Sequence, residues 1–211
     1  MNLRFVIVLL AALLGWYLWT IQLGSEAPGA LAGVVDAPAT ISSAASIDRN
    51  PIQIEVDGTP PVVSVNRFNL SLVADFELEA RVLGRRDYRF GTEAALSPMD
   101  LALGWGPMAR DEVLESIDIR QRNRFFYWST PELPIPRQDI IAHSSNMHLI
   151  PANDEAWRQL KQVSEDSIVR LSGYLVNIDR DDGWRWRTSL RRDDSGHGAC
   201  EIVLVTLAEV L

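Results

Sequence analysis

Cys200 is the only cysteine in the 211-residue chain, and His197 lies three positions before it in the run Ser195-Gly196-His197-Gly198-Ala199-Cys200. A thiolate nucleophile needs a base or a positive field to lower its pKa, and histidine is the usual supplier. His143 and His148 are the other histidines, so Cys200, His197, His143 and His148 make the candidate catalytic set. The competing explanation is a small buried thiol at the start of a core strand. A single cysteine rules out any disulfide within the chain.

The Cys200 run resembles the Ser-His-Gly-Cys turn of exported L,D-transpeptidases but departs from it at the chemistry. Ala199 separates Gly198 from Cys200, no arginine follows the cysteine, and the upstream His-Gly element is missing. The three histidines with Asp193 or Asp194 are residue types that bind zinc. Yet the interval from His143 to His148 puts the two on one face of neither a helix nor a strand, so no metal and no cofactor is expected. Asp181-Asp182 and Asp193-Asp194 are explained by turn formation. The chain has no phosphate-cradling glycine loop and no serine elbow.

A binding surface is the other reading. Arg120, Arg122 and Arg124 recur at period two in a segment read as one long strand over residues 117–128, which would align three guanidinium groups on one face. Trp184, Arg185, Trp186 and Arg187 alternate cation and ring. Arginine forks suit carboxylates and phosphates, and adjacent aromatics add stacking surface. The competing explanation is an outward sheet face neutralised by carboxylates, with the tryptophans in the core. Binding asks less of these residues than catalysis does.

The elements that must position these groups are mostly strands. Phe68-Asn69-Leu70-Ser71-Leu72 alternates, as does the stretch from Phe76 to Leu83. Both fit strands with one buried face. Residues 51–61 hold one short strand. Ser97-Pro98-Met99-Asp100 has the signature of a helix start, stopped by Gly104-Trp105-Gly106-Pro107. A second short helix is expected over 111–116, and residues 131–136 form a proline-rich loop. Asn153 is read as the cap of a helix burying Ala156, Trp157, Leu160 and Val163. Residues 168–178 are apolar on both faces, with Gly173 where a strand can coil sharply. Asp181-Asp182-Gly183 is a hairpin turn, residues 184–190 its return strand, and residues 202–206 a closing strand.

Residues 5–23 carry no charge and, as a helix, reach roughly 28 Å, close to the thickness of a bilayer core. Arg4 precedes this run and the next basic residue is Arg49, which favours a cytoplasmic N-terminus by the positive-inside rule. A cleaved signal peptide is the alternative, but the run is long and Leu23-Gly24-Ser25-Glu26-Ala27 makes a poor cleavage site. The expected organisation is a transmembrane anchor over 1–23, a flexible Ala/Gly/Ser/Pro-rich linker over 24–50, and an extracytoplasmic domain over 51–211. The formal net charge of −8 argues against nucleic acid as a partner. Lys161 is the only lysine, a compositional bias.

The words Asp100-Leu101-Ala102-Leu103-Gly104-Trp105-Gly106-Pro107-Met108, residues 143–153, Gly183 through Leu190, and Gly198-Ala199-Cys200-Glu201 resemble an uncharacterised family of bacterial single-span, membrane-anchored envelope proteins. That resemblance implies a compartment and no mechanism. The reading is an α+β, mainly β fold: an N-terminal transmembrane helix plus one small extracytoplasmic domain, a partly closed (OB-like) β-barrel with short helices. It sits in the inner membrane, single-pass, with the C-terminal domain periplasmic or extracellular. Its partners are the lipid bilayer through residues 5–23 and another envelope protein or an anionic envelope component. Its function is that of a binding or assembly module; the alternative is a Cys-dependent envelope enzyme.

Overall fold

A computed structural model describes residues 44–194, 196 and 198–211. The anchor at 5–23, most of the 24–50 linker and His197 lie outside these residues. Among the described residues no helix is long and apolar enough to cross a membrane.

The described part is mainly β. Strands β1 (Ile52–Glu55), β2 (Val62–Val65), β3 (Phe68–Asp87), β4 (Met99–Gly104), β7 (Ser144–Pro151), β8 (Ile168–Arg180), β9 (Arg185–Trp186) and β10 (Glu201–Val210) form one sheet. Strands β5 (Asp118–Arg122) and β6 (Phe125–Ser129) form a separate hairpin. The helices are short: α1 (Asp111–Leu114), α2 (Arg137–Ala142) and α3 (Asp154–Leu160), with 3-10 turns at Glu93–Ala95 and Gly106–Ala109. Two alternating stretches of the sequence are thus one strand, β3, whose inward positions are buried along most of its length.

The large sheet is not a closed barrel. Its order is β1-β3-β4-β7-β10-β8-β9, and β3 also pairs with β8. β3 meets β8 through residues 68–81 and β4 through residues 81–87, so the two pairings share only Arg81. β7 and β10 run parallel, and the other pairings are antiparallel. The main core lies under Phe76, Leu78, Met99, Leu101, Met147, Leu149, Leu171 and Val203, capped by Leu160 and Val163 from α3 and the turn after it. A second core gathers Leu70, Leu72, Ile150, Val176, Ile202 and Leu204. Since Leu149 and Ile150 point opposite ways, β7 is buried on both faces. α3 is capped as expected: Asn153 Oδ1 accepts from the Ala156 N–H at 2.8 Å.

Four expectations fail. The predicted helix after Ser97 is β4, whose six residues are all buried and pair with β3 and β7. Burial on both faces removes the alternation that marks a strand. The predicted long strand over 117–128 folds back at Asn123-Arg124 into the β5–β6 hairpin. The return strand after Gly183 shrinks to Arg185–Trp186. Residues 44–50 are docked on the domain: the Gly106 N–H donates to Ile47 O at 2.6 Å, and the Trp105 indole N–H donates to Asn50 Oδ1 at 3.1 Å.

Candidate functional site

Register builds the site. In β4 and β7, Asp100 lies opposite His148 and Ala102 opposite Asn146; in β7 and β10, His148 lies beside Ile202. Met99, Leu101, Met147, Leu149 and Val203 occupy the main core. Alternation therefore sends Asp100, Asn146 and His148 to the other face of the same three strands. That polar face is covered by the β5–β6 tip, by Tyr88 and by Trp186.

The tip is anchored by Arg124. Its guanidinium donates to Asp100 Oδ1 at 2.7 Å and lies 3.7 Å from the Tyr88 ring centroid and 5.8 Å from that of Trp186. Its backbone N–H donates to the Tyr88 hydroxyl at 3.2 Å. Asn123 and Arg124 turn the hairpin at φ 52° and 69°. This left-handed pair suits a two-residue hairpin loop, but arginine at the second position is costly where glycine is usual. The ion pair with fully buried Asp100 supplies the offset. His148 Nδ1 stands 3.0 Å from the same Oδ1 but outside hydrogen-bonding angles, and it has no hydrogen-bond partner among the described residues. The Trp186 ring packs on that imidazole at 4.7 Å between centroids. Burial, then the Asp100 charge, pushes the Tyr88 hydroxyl up, so it stays a neutral phenol.

From Trp186 the stacking continues along the sheet. Trp186 meets Trp184 at 6.1 Å and Trp184 meets Phe68 at 5.8 Å, both edge-on. Arg180 lies 5.6 Å from Trp184 and 5.7 Å from Phe68, and Arg67 lies 6.0 Å from Phe68. Four chain segments thus contribute to one ladder of rings and guanidinium groups.

The predicted arginine stripe is broken by the hairpin. Arg120 is exposed and pairs with Asp118 at 2.6 Å, Arg122 is exposed near the tip, and Arg124 alone is in the cluster. The Trp184–Arg187 alternation holds in direction. Trp184 and Trp186 pack against the second core, while Arg185 and Arg187 turn outward to Asp179 at 3.4 and 2.6 Å. The predicted catalytic residues are partly separated. Cys200 reaches the polar face, where its thiol donates to Arg124 O at 3.7 Å. His148 is on that face too. His143 lies at the far end of β7, its Nδ1 2.8 Å from Asp139 O, about 16 Å along the strand from His148. Among the described residues no group of three or more His, Cys, Asp or Glu is placed to hold a metal ion.

Burial, then the charge of Asp100, pushes the Cys200 thiol up to about 12. That is the reverse of what activates a nucleophile. Because the unfolded chain loses this proton at lower pH than the folded one, the thiol's contribution to stability is present below about pH 9 and is lost as pH rises toward about 12. Alkylation at about pH 8 is therefore expected to speed up about a hundredfold or more when the domain is unfolded. Comparable rates in native and unfolded protein would contradict this placement.

Sequence reasoning missed Asp100, Tyr88, Asn146 and the Glu201–Arg192 pair. Glu201 is 1% exposed and takes bonds from Arg192 and Ser145. A lone carboxylate inside the apolar run Met99-Asp100-Leu101-Ala102-Leu103 was the available signal for Asp100. Beside the cluster lies a cavity of about 120 Å³ bounded by β6, the start of β7 and the loop before β10. The site thus defines a mainly β domain whose buried carboxylate pins a hairpin tip under an aromatic and arginine ladder. Comparison with protein-family models, with curated proteins and with solved structures gives no match.

Proposed function

We propose that the protein is a membrane-anchored envelope binding or assembly module, held through residues 5–23 with its domain on the periplasmic or extracellular side. The resemblance to bacterial single-span envelope proteins fits this placement. The observation that carries the binding reading is the ladder from Arg67 and Phe68 through Trp184 and Trp186 to Arg124 and Tyr88. Cores are built without alternating cations and rings, whereas recognition of anionic, ring-bearing ligands uses both.

Three exposed arginines, Arg86, Arg89 and Arg122, flank the Tyr88 end and have no carboxylate partner among the described residues. Phe90 beside them is 93% exposed. In a chain of net charge −8, such a cluster favours an anionic envelope component as partner. Residues 44–50 meet the Gly104–Gly106 end of β4, while Asp100 and Tyr88 lie at its other end, about 16 Å away. The patch thus lies at the opposite end of β4 from residues 44–50.

A partly closed, OB-like arrangement is supported by β3 pairing with both β4 and β8, by the parallel β7–β10 pair, and by α3 standing between β7 and β8. Loops at one end of such folds carry ligands, and the ladder draws on those loops. The raised Cys200 thiol supports binding over thiol catalysis.

The test replaces Arg86, Arg89 and Arg122 together by alanine in the full chain. All three are exposed, so stability should change by less than about 0.5 kcal/mol for each. The variant is expected to fail to rescue a deletion strain, with Arg120→Ala rescuing as the control. Full rescue by the folded triple variant would remove the reason for assigning this surface.

A further inference from the structure

β1 ends the large sheet on one side and, among the described residues, pairs with β3 alone. Its register decides which backbone groups are used. The Val56 N–H donates to Val73 O at 2.9 Å, in line with the pairs Ile54–Asp75 and Ile52–Glu77. Bonded and non-bonded positions alternate in an antiparallel ladder, so Ile52, Ile54 and Val56 bond to β3. The N–H and C=O groups of Gln53 and Glu55 therefore point to the open side. β8 fills the other side of β3, and β2 continues the open edge opposite residues 68–71.

The side chains of β1 alternate too. Gln53 stands opposite core residue Phe76 and turns inward, where it bonds to Leu190 O and Arg192. Ile52 and Ile54 take the outer face beside Glu77 and Asp75. Ile54 is 61% exposed, and Val62 further along the edge is 57% exposed. Native edges are commonly blunted by lysine or proline; residues 52–59 contain neither.

Charge selects the occupant. Glu55, Asp57 and Asp75 are exposed, with no ion-pair partner among the described residues. The arginines packed nearby are engaged, Arg170 by Glu79 and Glu209, and Arg192 by Glu201 and Gln53. Arg49 stands ahead of β1, at the other end from Glu55. A second copy would set these carboxylates against their own equivalents. Residues 24–43 carry Glu26 and Asp36 with no lysine or arginine, so charge disfavours them as well.

We propose that β1 takes up an extended segment of another protein as an added strand, one that alternates apolar side chains with lysine or arginine. Backbone bonds to Gln53 and Glu55 hold it, and alternate side chains select it. Its apolar positions cover Ile54, and its cations share the face of Glu55. Asp75 stands one strand further in, about 10 Å away, where its charge still acts at moderate ionic strength. The edge is opposite in charge to the arginine patch, so either reading can fail alone.

The experiment titrates the full chain, in non-ionic detergent, with a capped heptapeptide alternating lysine and valine, and follows amide exchange. Saturable binding that weakens with salt is expected, with exchange at Gln53 and Glu55 slowed about tenfold. The same peptide N-methylated at its lysines keeps its charge but loses the N–H groups that would face β1. It should bind about tenfold more weakly. Glu55→Pro removes an outward donor while sparing the ladder to β3, and should abolish the protection at Gln53. Asp57→Asn with Asp75→Asn should weaken binding about threefold. Urea denaturation checks that these variants fold. The assignment is overturned by no saturation up to about 5 mM, by equal binding of the N-methylated peptide or of a glutamate–valine peptide, or by unchanged affinity in the folded variants.

Discussion

Gly173→Ala is expected to leave no stably folded domain. An alanine Cβ at this position would fall inside contact distance of Leu204 O, 2.9 Å from Leu204 C and 3.2 Å from Thr206 N. All three are backbone atoms of β10, held in place by pairing on both sides of that strand. Gly173 faces Val205 of β10 and Phe76 of β3 at once, and β10 bulges between Val205 and Leu207 just there. Relief therefore needs β8 and β10 to part, which breaks the ladder in the middle of the main core. The loss should exceed about 4 kcal/mol, beyond the usual range for single substitutions. Gly183→Ala is the comparison: φ is +88°, but nothing lies within 4 Å of the added methyl. Only backbone strain acts there, costing about 1 kcal/mol. Urea denaturation of both variants checks the contrast, and a Gly173→Ala domain that unfolds near the wild-type midpoint would refute it.

Gly173 also shows what kind of information the sequence carried. A glycine inside an apolar run on both faces marks a close backbone approach, and the structure puts one there. The β3 and β8 strands and the capped α3 were legible for the same reason: their patterns come from one dominant local preference. β4 was misread because Ser97-Pro98-Met99-Asp100 satisfies the rules for a helix start, while long-range pairing with β3 and β7 decides the outcome. Asp100 looked like an acidic residue of a first helical turn; it is a buried ion-pair partner. The hairpin was hidden because Asn123-Arg124 lacks the usual glycine, and the arginine period ran on through the turn. The candidate site was legible in part. Arg124, Trp184, Trp186 and Cys200 were named from their types, and they do reach one face. What joins them is Asp100, and the pairing of β4 with β7 that places it is a long-range property no local pattern reports.

That carboxylate carries the second large effect. Asp100 has no exposure, and it answers Arg124, the Nδ2 of Asn146 and the edge of His148. Asp100→Ala leaves a mostly buried guanidinium without its anion, which costs about 3–5 kcal/mol when one member of a buried pair is removed. Arg124→Gly is the informative partner. It relaxes a residue held at φ 69°, a gain of up to about 1 kcal/mol. It also strands Asp100, a loss several times larger, so the net sign should be destabilising despite the better turn residue. The double variant Asp100→Ala with Arg124→Gly removes both charges and should lose clearly less than the sum of the single losses, the signature of direct coupling. Amide exchange at Asn123 and Arg124 should quicken in both single variants, because the tip loses its anchor while the sheet beneath it persists. Additive losses in the cycle, or an Arg124→Gly domain more stable than the wild type, would mean that Asp100 does not hold the hairpin. The ladder of rings above it would then need another support.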